Sequence, residues 1–355
     1  MPLHNNPSGW IIRGDESFMR ILSLITHFRH LDTWEHNTTC VESIYPAWKS
    51  VSLFRRARTI ASFAHEWDSI IFFSDLKLPV LVWLLALLRG RKVHSRIVYT
   101  TFLCDTSRFK SPSHKWRPYE LARYMFLWSF VRVCRAIVVH SSAETREYSS
   151  IFHTGPERFS FIPYCVRDDA LKPMSYTLDS AVIRPVVAAG RHRDYLTLLT
   201  ALDGTGIAAT VIAGQSDASQ LAEADRIGVD VRYEVPFAEY RERIQRASLC
   251  VIPLGTNMAR SLGQIAVFEA IAAKTPVVAA KVTQLVDYFD DEILFYQPGD
   301  SDELRERIRA ALKDPEAGAA RAEKAFQRML RDYTSENYVR SLLRLCGADS
   351  ADATM

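Results

Sequence analysis

The sequence lacks paired cysteines, and the scattered positions of the cysteines that it has argue against two common roles. The 355 residues include six cysteines, and no two of them form a Cys-x-x-Cys pair. This spacing argues against a zinc site and against a disulfide framework. Scattered cysteines favour a reducing compartment, and no basic-then-apolar signal peptide opens the chain. We therefore expect a cytoplasmic protein that is not secreted.

Phosphate-binding and membrane-spanning signatures are missing as well. Neither a Gly-x-Gly-x-x-Gly fingerprint nor a Walker-type loop occurs, which weakens an assignment as a dehydrogenase or a kinase. The apolar run at residues 78–88 has eleven residues, whereas a spanning helix needs about 20. We predict a buried core helix there, with a membrane-seated helix as the alternative.

Size and composition indicate a globular protein of two domains with unevenly distributed charge. Apolar residues make up 48% of the chain and charged residues 24%, which is typical of soluble domains with substantial cores. Residues 1–170 contain 22 Lys/Arg against 15 Asp/Glu. Such an excess indicates attraction to an anionic partner or a membrane surface; ordinary surface charge is the alternative.

Basic and aromatic residues are interleaved at residues 108–135, which contain seven Lys/Arg among Trp, Tyr and Phe. This mixture suits a membrane interface or a pyrophosphate-bearing lipid. It also suits a large helix packed on a sheet, with its arginines extending to water. No recognised nucleic-acid motif accompanies the charge, so we expect no nucleic-acid partner.

Short apolar runs alternate with helical patterns along the chain, which predicts α/β structure with parallel sheets. Strands are predicted at residues 10–12, 69–73, 96–101, 136–139, 159–166, 186–190, 210–214, 231–235, 250–254 and 276–280. Helices are predicted at residues 19–28, 51–66, 263–273 and 323–345, and a linker at residues 167–184.

One predicted strand ends at a glycine that is followed by two arginines. Gly190 would let a diphosphate approach the backbone, because it has no side chain. Arg191 and Arg193 would neutralise the phosphates through bidentate hydrogen bonds. The alternative is a pair of exposed arginines at the start of a helix.

One charged residue interrupts the apolar helix at residues 263–273. Glu269 is flanked by apolar residues, and a buried carboxylate without a partner is costly. The alternative is a Glu at the helix edge that reaches solvent or an arginine. The helix begins after Ser261-Leu262-Gly263-Gln264, and free N–H groups at a helix start attract phosphate.

The segment around Glu269 resembles the donor-site signature of the GT-B glycosyltransferases of retaining family four. That signature is Glu, seven residues including Gly-Phe-Gly, a second Glu, and then Ala-Met-Ala-x-Gly-x-Pro-Val-Val. Here FEAIAAKTPVV at residues 268–278 places Glu269 at the second Glu, and Ser261 stands where the first Glu is expected. The chain therefore resembles a divergent branch with Ser-x-Gly-Gln. Gly190-Arg191 matches the family's Gly-Arg-x-x-Lys pattern, with Arg193 in the role of the lysine.

The resemblance implies an α/β protein of the GT-B fold, with two Rossmann-like domains facing a cleft. We expect an N-terminal acceptor-side domain at residues 1–172 and a C-terminal nucleotide-sugar-binding domain at residues 173–330. A final helix at residues 331–355 is expected to return to the N-terminal domain.

The implied activity is metal-independent glycosyl transfer with retention, in a process such as polysaccharide biosynthesis. The donor is a UDP- or GDP-linked sugar, bound as a substrate rather than as a cofactor. The acceptor is a glycan, a lipid-linked molecule or a small molecule. No Asp-x-Asp motif stands where the alternative metal-dependent fold has one. Peripheral contact with the inner face of a membrane is expected through the basic aromatic N-terminal domain.

The resemblance also assigns roles to individual residues. Glu269 would accept hydrogen bonds from the ribose hydroxyls, and Arg191 and Arg193 would stabilise charge on the departing diphosphate. Asp105, in the segment where the family has its cleft histidine, is the third catalytic candidate. The other donor-binding candidates are Gly190, Ser261, Gly263, Gln264 and Ile265.

Two alternatives come from other functional classes. The replacement of the first Glu by Ser261, together with the missing cleft histidine, is consistent with a pseudoenzyme that binds nucleotide or a partner protein without transferring sugar. A nucleotide-sugar epimerase of the GT-B fold is the other alternative. It would release a free epimer instead of a glycosylated acceptor.

Overall fold

The computed structural model describes residues 19–46, 48–106, 109, 117–171, 185–255 and 262–348. The strands within these ranges are β1 (Ile21–Ser23), β2 (Thr38–Cys40), β3 (Ser69–Phe73), β4 (Ile97–Thr100), β5 (Ala136–Val139), β6 (Phe159–Phe161), β7 (Val186–Ala189), β8 (Ala209–Ala213), β9 (Val229–Tyr233), β10 (Leu249–Ile252), β11 (Val277–Ala280) and β12 (Leu294–Tyr296).

The α-helices are α1 (Asp32–Asn37), α2 (Val41–Ile44), α3 (Leu53–Phe63), α4 (Lys77–Leu87), α5 (Pro118–Val133), α6 (Ser142–Phe152), α7 (Tyr195–Leu202), α8 (Phe237–Gln245), α9 (Gln264–Ala272), α10 (Thr283–Val286), α11 (Ser301–Lys313), α12 (Pro315–Asp332) and α13 (Ser335–Cys346). Short 3₁₀ segments lie at Trp48–Ser50, Ala64–Glu66, His94–Arg96, Pro156–Arg158, Gln215–Leu221 and Asp225–Ile227.

The strands form two parallel sheets of six strands, one in each half of the chain. The first has the order β2-β1-β3-β4-β5-β6 and the second the order β12-β11-β10-β7-β8-β9. Parallel sheets are covered on both faces, so their strands are near-continuous apolar runs. Accordingly β5, β7, β10 and β11 contain no charged residue and are buried along their whole length. The expected α/β class with two Rossmann-like domains is confirmed.

Alternate residues of the first sheet face two different cores. Ile70 and Phe72 of β3 face a core that includes α3, α4 and α5. Ile71, between them, faces a second core whose helical cover is largely α13. This alternation follows from the two-residue period of a strand. The last helix of the described chain therefore covers one face of the first sheet.

The predicted helix at residues 19–28 is wrong. Residues 21–23 form β1, which pairs with β2 on one side and with β3 on the other. The apolar residues Ile21 and Leu22 are buried on opposite faces of the sheet rather than on one face of a helix. The predicted strand at residues 10–12, and residues 172–184 of the predicted linker, lie outside the described residues.

The predicted single helix at residues 323–345 is divided into two. α12 ends at Asp332, and Thr334 begins α13 by accepting a hydrogen bond from the Asn337 N–H at 3.2 Å. The division lies beside the segment after β6, where the chain first leaves the first domain, because the Val166 N–H donates to the Tyr333 carbonyl at 2.8 Å. α12 packs in the core of the second sheet and α13 on the first sheet.

The prediction of a buried core helix at residues 78–88 holds for one face only. Leu78, Val82 and Ala86 of α4 are buried, whereas Leu84 and Leu87 are exposed. The helix predicted at residues 51–66 is confirmed as α3, which is amphipathic and includes three arginines. Within the described ranges, no helix is both long and apolar enough to cross a membrane.

The carboxyl ends of the two sheets face each other across the domain boundary. Asp287, after β11, accepts hydrogen bonds from the N–H and the hydroxyl of Ser142 at 2.6 and 2.8 Å. Ser142 begins α6, where free N–H groups and the helix dipole favour a carboxylate. The Tyr288 hydroxyl, from the same segment, donates to the His140 carbonyl at 2.8 Å. In open α/β sheets ligands bind outside these strand ends, so the candidate site lies between the sheets.

His140 at this boundary is expected to make the fold sensitive to acid. Its Nδ1 lies 2.9 Å from the Ile162 carbonyl and must therefore hold the proton, while the buried Nε2 has no partner in the described part of the chain. Burial lowers the pKa of the His140 imidazole from 6.5 to about 4. The unfolded chain thus binds more protons between these values, and about 3 kcal/mol of stability is lost as the pH falls from 6.5 toward 4.

Melting temperatures measured across this pH range test the prediction. His140→Asn keeps an N–H donor for the Ile162 carbonyl but does not titrate, so its stability should fall less steeply with acid. The same acid slope in both proteins would contradict the assignment.

Candidate active site

Two loops meet where the strand order of the second sheet reverses. The chain runs from β7 outward to β9 and then returns to β10, on the other side of β7. Across this point the Asp194 N–H donates to the Pro253 carbonyl at 2.9 Å. Gly263, before α9, packs against Leu254 of the loop after β10. The crevice at such a reversal is the usual ligand site of an open sheet, and it brings residues 190–194 close to the start of α9.

Arg193 lies buried in this crevice, with 7% of its surface exposed. Its Nε donates to the Ala189 carbonyl at 3.2 Å and its Nη1 to the Arg191 carbonyl at 3.1 Å. Among the described residues, no group accepts from Nη2 and no carboxylate forms an ion pair with Arg193. Burial lowers the pKa of this guanidinium. A buried cation with an open N–H suits an anionic oxygen of a ligand.

Gly190 makes room for this guanidinium. Its φ of +125° is one that residues with side chains rarely adopt, and a Cβ at this position would overlap the Arg193 guanidinium. The buried Tyr195 hydroxyl donates to the Gly190 carbonyl and fixes the loop from below. The space beside the Gly190 backbone, where a diphosphate was predicted to approach, is therefore filled by the Arg193 side chain.

The two predicted arginines have different environments. The side chain of Arg191 is 66% exposed and forms an ion pair with Glu234. The Glu234 carboxylate also accepts a hydrogen bond from the Gln215 N–H at 3.1 Å. This backbone bond and, after it, Arg191 lower the pKa of Glu234. The alternative of an exposed arginine at a helix start thus describes the position of Arg191 but not that of Arg193.

Two polar residues that the sequence analysis did not single out hold the loop after β7. Asp217 is 2% exposed and accepts hydrogen bonds from the N–H groups of His192 at 3.2 Å and Gly214 at 3.3 Å. Gln220 donates to the Arg193 carbonyl at 3.1 Å. Both belong to the 3₁₀ segment after β8. The only sequence signal is an Asp three residues after a strand-terminal glycine, a spacing typical of a capping box.

The start of α9 offers backbone N–H groups rather than side chains. Gly263 precedes the helix with a φ of +98°. Gln264 is buried, and its amide donates to a backbone carbonyl of α10 at 3.1 Å. Ile265 is 57% exposed. The predicted donor-binding residue Ser261 lies outside the described residues. The N–H groups at this helix start remain suited to an anion.

Glu269 lies in a network of charges between α8, α9 and the segment after β6. It is 4% exposed, and its Oε2 is 2.9 Å from Nε of Arg241. Nη1 of Arg241 is 3.7 Å from Asp169, which forms a bidentate pair with Arg167 at 2.9 Å for both bonds. Burial raises the pKa of Glu269, and Arg241 opposes this shift. The predicted alternative, a Glu that reaches an arginine, is thus present, while no described residue donates to Oε1.

The first sheet has its own reversal of strand order, between β1 and β3. The ring of His27, after β1, lies 5.7 Å from the ring of Phe73 at the end of β3. Burial, and then His30, lower the pKa of His27. Ser74 and Thr101, directly after β3 and β4, have φ values of +65° and +60°, and such strained backbone concentrates at functional sites.

The third catalytic candidate belongs to this first sheet. Asp105 is half-buried in the loop that follows β4. It therefore lies at the carboxyl edge of the first sheet, whereas Gly190, Arg193 and the start of α9 lie at that of the second. The contact between Asp287 and Ser142 shows that these two edges meet. The candidate residues thus lie at the boundary between the two domains. Asp105 is on the side of the first sheet, and Gly190, Arg193 and the start of α9 are on the side of the second.

Residues 191–344 match the model of a protein family described as glycosyl transferase-like. The matched region includes Arg191, Arg193, Glu269 and the start of α9, but not the first sheet. Comparison with curated proteins finds no significant match.

Solved structures share the fold over nearly the whole chain at low sequence identity. A glycosyltransferase of Rickettsia africae ESF-5 has a TM-score of 0.64 and 11% identity, over 95% of this chain and 100% of that chain. HepE of Anabaena, in complex with UDP, has a TM-score of 0.62 and 14% identity, over 93% and 99%. Sucrose-phosphate synthase of Thermosynechococcus elongatus has a TM-score of 0.61 and 18% identity, over 90% and 84%. The GT-B fold expected from the sequence is confirmed.

Proposed function

We propose that this chain is a GT-B glycosyltransferase that uses a UDP- or GDP-linked sugar as its donor. The observation that carries the proposal is Arg193, a buried guanidinium with an open N–H at the strand-order reversal of the second sheet. The family match over residues 191–344 supports transfer of a sugar. The UDP complex of HepE, which has the same fold, supports a nucleoside diphosphate as the bound group.

In the proposed reaction, the bond between the anomeric carbon and the diphosphate breaks and the acceptor oxygen takes its place with retention. Arg193 stabilises the negative charge that grows on the diphosphate, and the N–H groups at the start of α9 add to this effect. Arg191 supplies a second cation at the rim. With charge neutralised by these groups, we propose that no metal ion is needed. Oε1 of Glu269 accepts hydrogen bonds from the ribose hydroxyls.

The acceptor side is proposed at the carboxyl edge of the first sheet. His27 has a lowered pKa and is neutral near pH 7, so it can accept a hydrogen bond from an acceptor hydroxyl. Asp105 is the carboxylate proposed to accept the proton that the acceptor hydroxyl loses as its oxygen bonds to the anomeric carbon. A glycan, a lipid-linked molecule and a small molecule all offer such a hydroxyl, and all three remain within the proposal.

The test is incubation of the protein with radiolabelled UDP- and GDP-sugars and a panel of acceptors. We expect label to move to an acceptor, with the anomeric configuration determined by NMR of the product. Recovery of the donor as its epimer would instead identify an epimerase.

The ion pair between Glu269 and Arg241 favours a second candidate, a nucleotide-binding protein without transferase activity. In that case Arg241 already holds the carboxylate that the donor requires. Binding of UDP or GDP by calorimetry, without transfer to any acceptor or hydrolysis of any donor, would support this second candidate.

A further inference from the structure

We propose that the outer surface of α4 is a docking site for an anionic lipid bilayer. The site consists of Leu84, Leu87 and Leu88 together with the cations Arg58, Arg89 and Lys92, and is called the α4 patch below. It is distinct from the donor crevice of the second sheet, so the proposal does not depend on the proposed reaction.

The apolar part of the α4 patch is a row of leucines on one face of a helix. Leu84, Leu87 and Leu88 are 41%, 52% and 82% exposed, and their spacing of three and four residues places them side by side. A helix at the surface of a soluble domain normally has a polar outer face. α4 instead has no charged residue after Lys77. Contiguous exposed apolar surface of this kind marks an interaction site.

The charged part of the α4 patch lies at the end of the same helix. Arg58, Arg89 and Lys92 are exposed, and the Arg89 guanidinium donates to the Arg58 carbonyl at 3.3 Å, which joins the end of α4 to the middle of α3. Within the described part of the chain none of the three has an acidic partner. The surrounding sequence is also basic, because residues 76–135 contain twelve Lys/Arg and two Asp/Glu.

The combination of leucines and unpaired cations fits a bilayer better than other occupants. Leucine side chains insert at the boundary of the acyl chains, while cations bind anionic headgroups. Nucleic acid would bind the cations but would not use exposed leucines. A second copy of the chain would place like charges opposite each other in a symmetric contact. Leu121 and Met125 on the neighbouring helix α5 are exposed as well.

Vesicle flotation of the full-length protein tests the proposal. We expect flotation with vesicles of phosphatidylcholine and phosphatidylglycerol at low salt, a decrease as salt is added, and no flotation with phosphatidylcholine alone. Replacing Arg58, Arg89 and Lys92 by Gln should lower the partition coefficient about fivefold for each cation removed. Leu84→Ser combined with Leu87→Ser and Leu88→Ser should abolish flotation, because the inserted apolar surface is lost.

Matched controls come from the second domain. Leu196 is 60% exposed, and Arg309 and Lys313 are exposed on α11, so Leu196→Ser and the pair Arg309→Gln and Lys313→Gln should float like the wild type. UDP binding, measured in solution, should be equal in all variants, which separates this test from that of the proposed function.

Three results would overturn the proposal. The first is a wild-type protein that stays unbound to the anionic vesicles at low salt. The second is equal flotation of wild type and α4-patch variants. The third is a dimer, detected by light scattering, that dissociates when the leucines are replaced. The α4 patch would then be the contact surface between two copies of the chain.

Discussion

Replacing Arg193 by Met is expected to lower kcat for sugar transfer by about a hundred- to a thousandfold. The substitution removes every donor that the guanidinium could direct at the departing diphosphate, while it keeps much of the buried volume. It also removes a buried cation whose pKa burial lowers, so part of the lost hydrogen bonding is offset by relief of a desolvation cost. We therefore expect a large fall in turnover with a small change in melting temperature.

Arg191→Met is the matched control for Arg193, because Arg191 lies two residues away but is exposed and paired with Glu234. The effect of Arg191→Met on turnover should be much smaller.

Gly190→Ala should act like the loss of Arg193, because the new Cβ would displace the guanidinium. Gly204→Ala is the control for that change, since Gly204 also has a positive φ but no atom within 4 Å of the added Cβ. Normal turnover in a folded Arg193→Met protein would make the guanidinium a structural group.

Replacing Glu269 by Gln is expected to weaken nucleoside diphosphate binding by roughly ten- to a hundredfold. An amide accepts only at its oxygen and without a charge, so the hydrogen bonds that we propose from the ribose hydroxyls to Oε1 become weaker. The effect on folding should be smaller. Burial raises the pKa of Glu269, so ionised Glu269 itself costs stability above its ordinary pKa, and Arg241 keeps Asp169 at 3.7 Å as a partner.

Arg241→Met separates donor binding from pairing. If Glu269 binds ribose, this variant frees the carboxylate and should bind UDP or GDP at least as tightly as the wild type in calorimetry. If Glu269 serves only to pair with Arg241, the two single variants should lose stability alike and bind nucleotide alike. Unchanged nucleotide affinity in Glu269→Gln would remove this residue from the donor site.

Most of the second sheet was predictable from sequence, because β7, β8, β10 and β11 are separate apolar runs. β12 was not predicted, and β9 includes the charged residues Asp230 and Arg232. β7, β10 and β11 are uncharged and bounded by glycine, proline or polar residues, a pattern that predicts buried strands. β1 gives no such signal. It has three residues, too few to show alternation, and the apolar residues Ile25 and Phe28 that follow it imitate helical spacing. Because residues 19–28 were wrongly predicted as a helix, His27 was not recognised as a residue near the end of a strand and was not chosen as a candidate.

The candidate site was predictable in part. Gly190, Arg193 and Gly263 were singled out because a glycine at a strand end permits a positive φ and an arginine beside it can bind phosphate. Both glycines do have a positive φ. The different burial of Arg191 and Arg193 could not be predicted, since it depends on Asp217 and Gln220, which reach the loop from a different strand end. Likewise the partner of Glu269 comes from α8, and sequence spacing contains no information on that contact.

The position of α13 has a consequence for the order in which the chain folds during synthesis. α13 covers the face of the first sheet that includes Ile71, and the Ser69 hydroxyl donates to the Cys346 carbonyl at 3.0 Å. Chains generally fold domain by domain from the N-terminus as they leave the ribosome. Here the first domain cannot cover one apolar face of its sheet until α13 has been made, whereas the second domain can already complete its core. The half of the described chain that is made first is therefore the half that is completed last, and until then its uncovered apolar face is prone to aggregation.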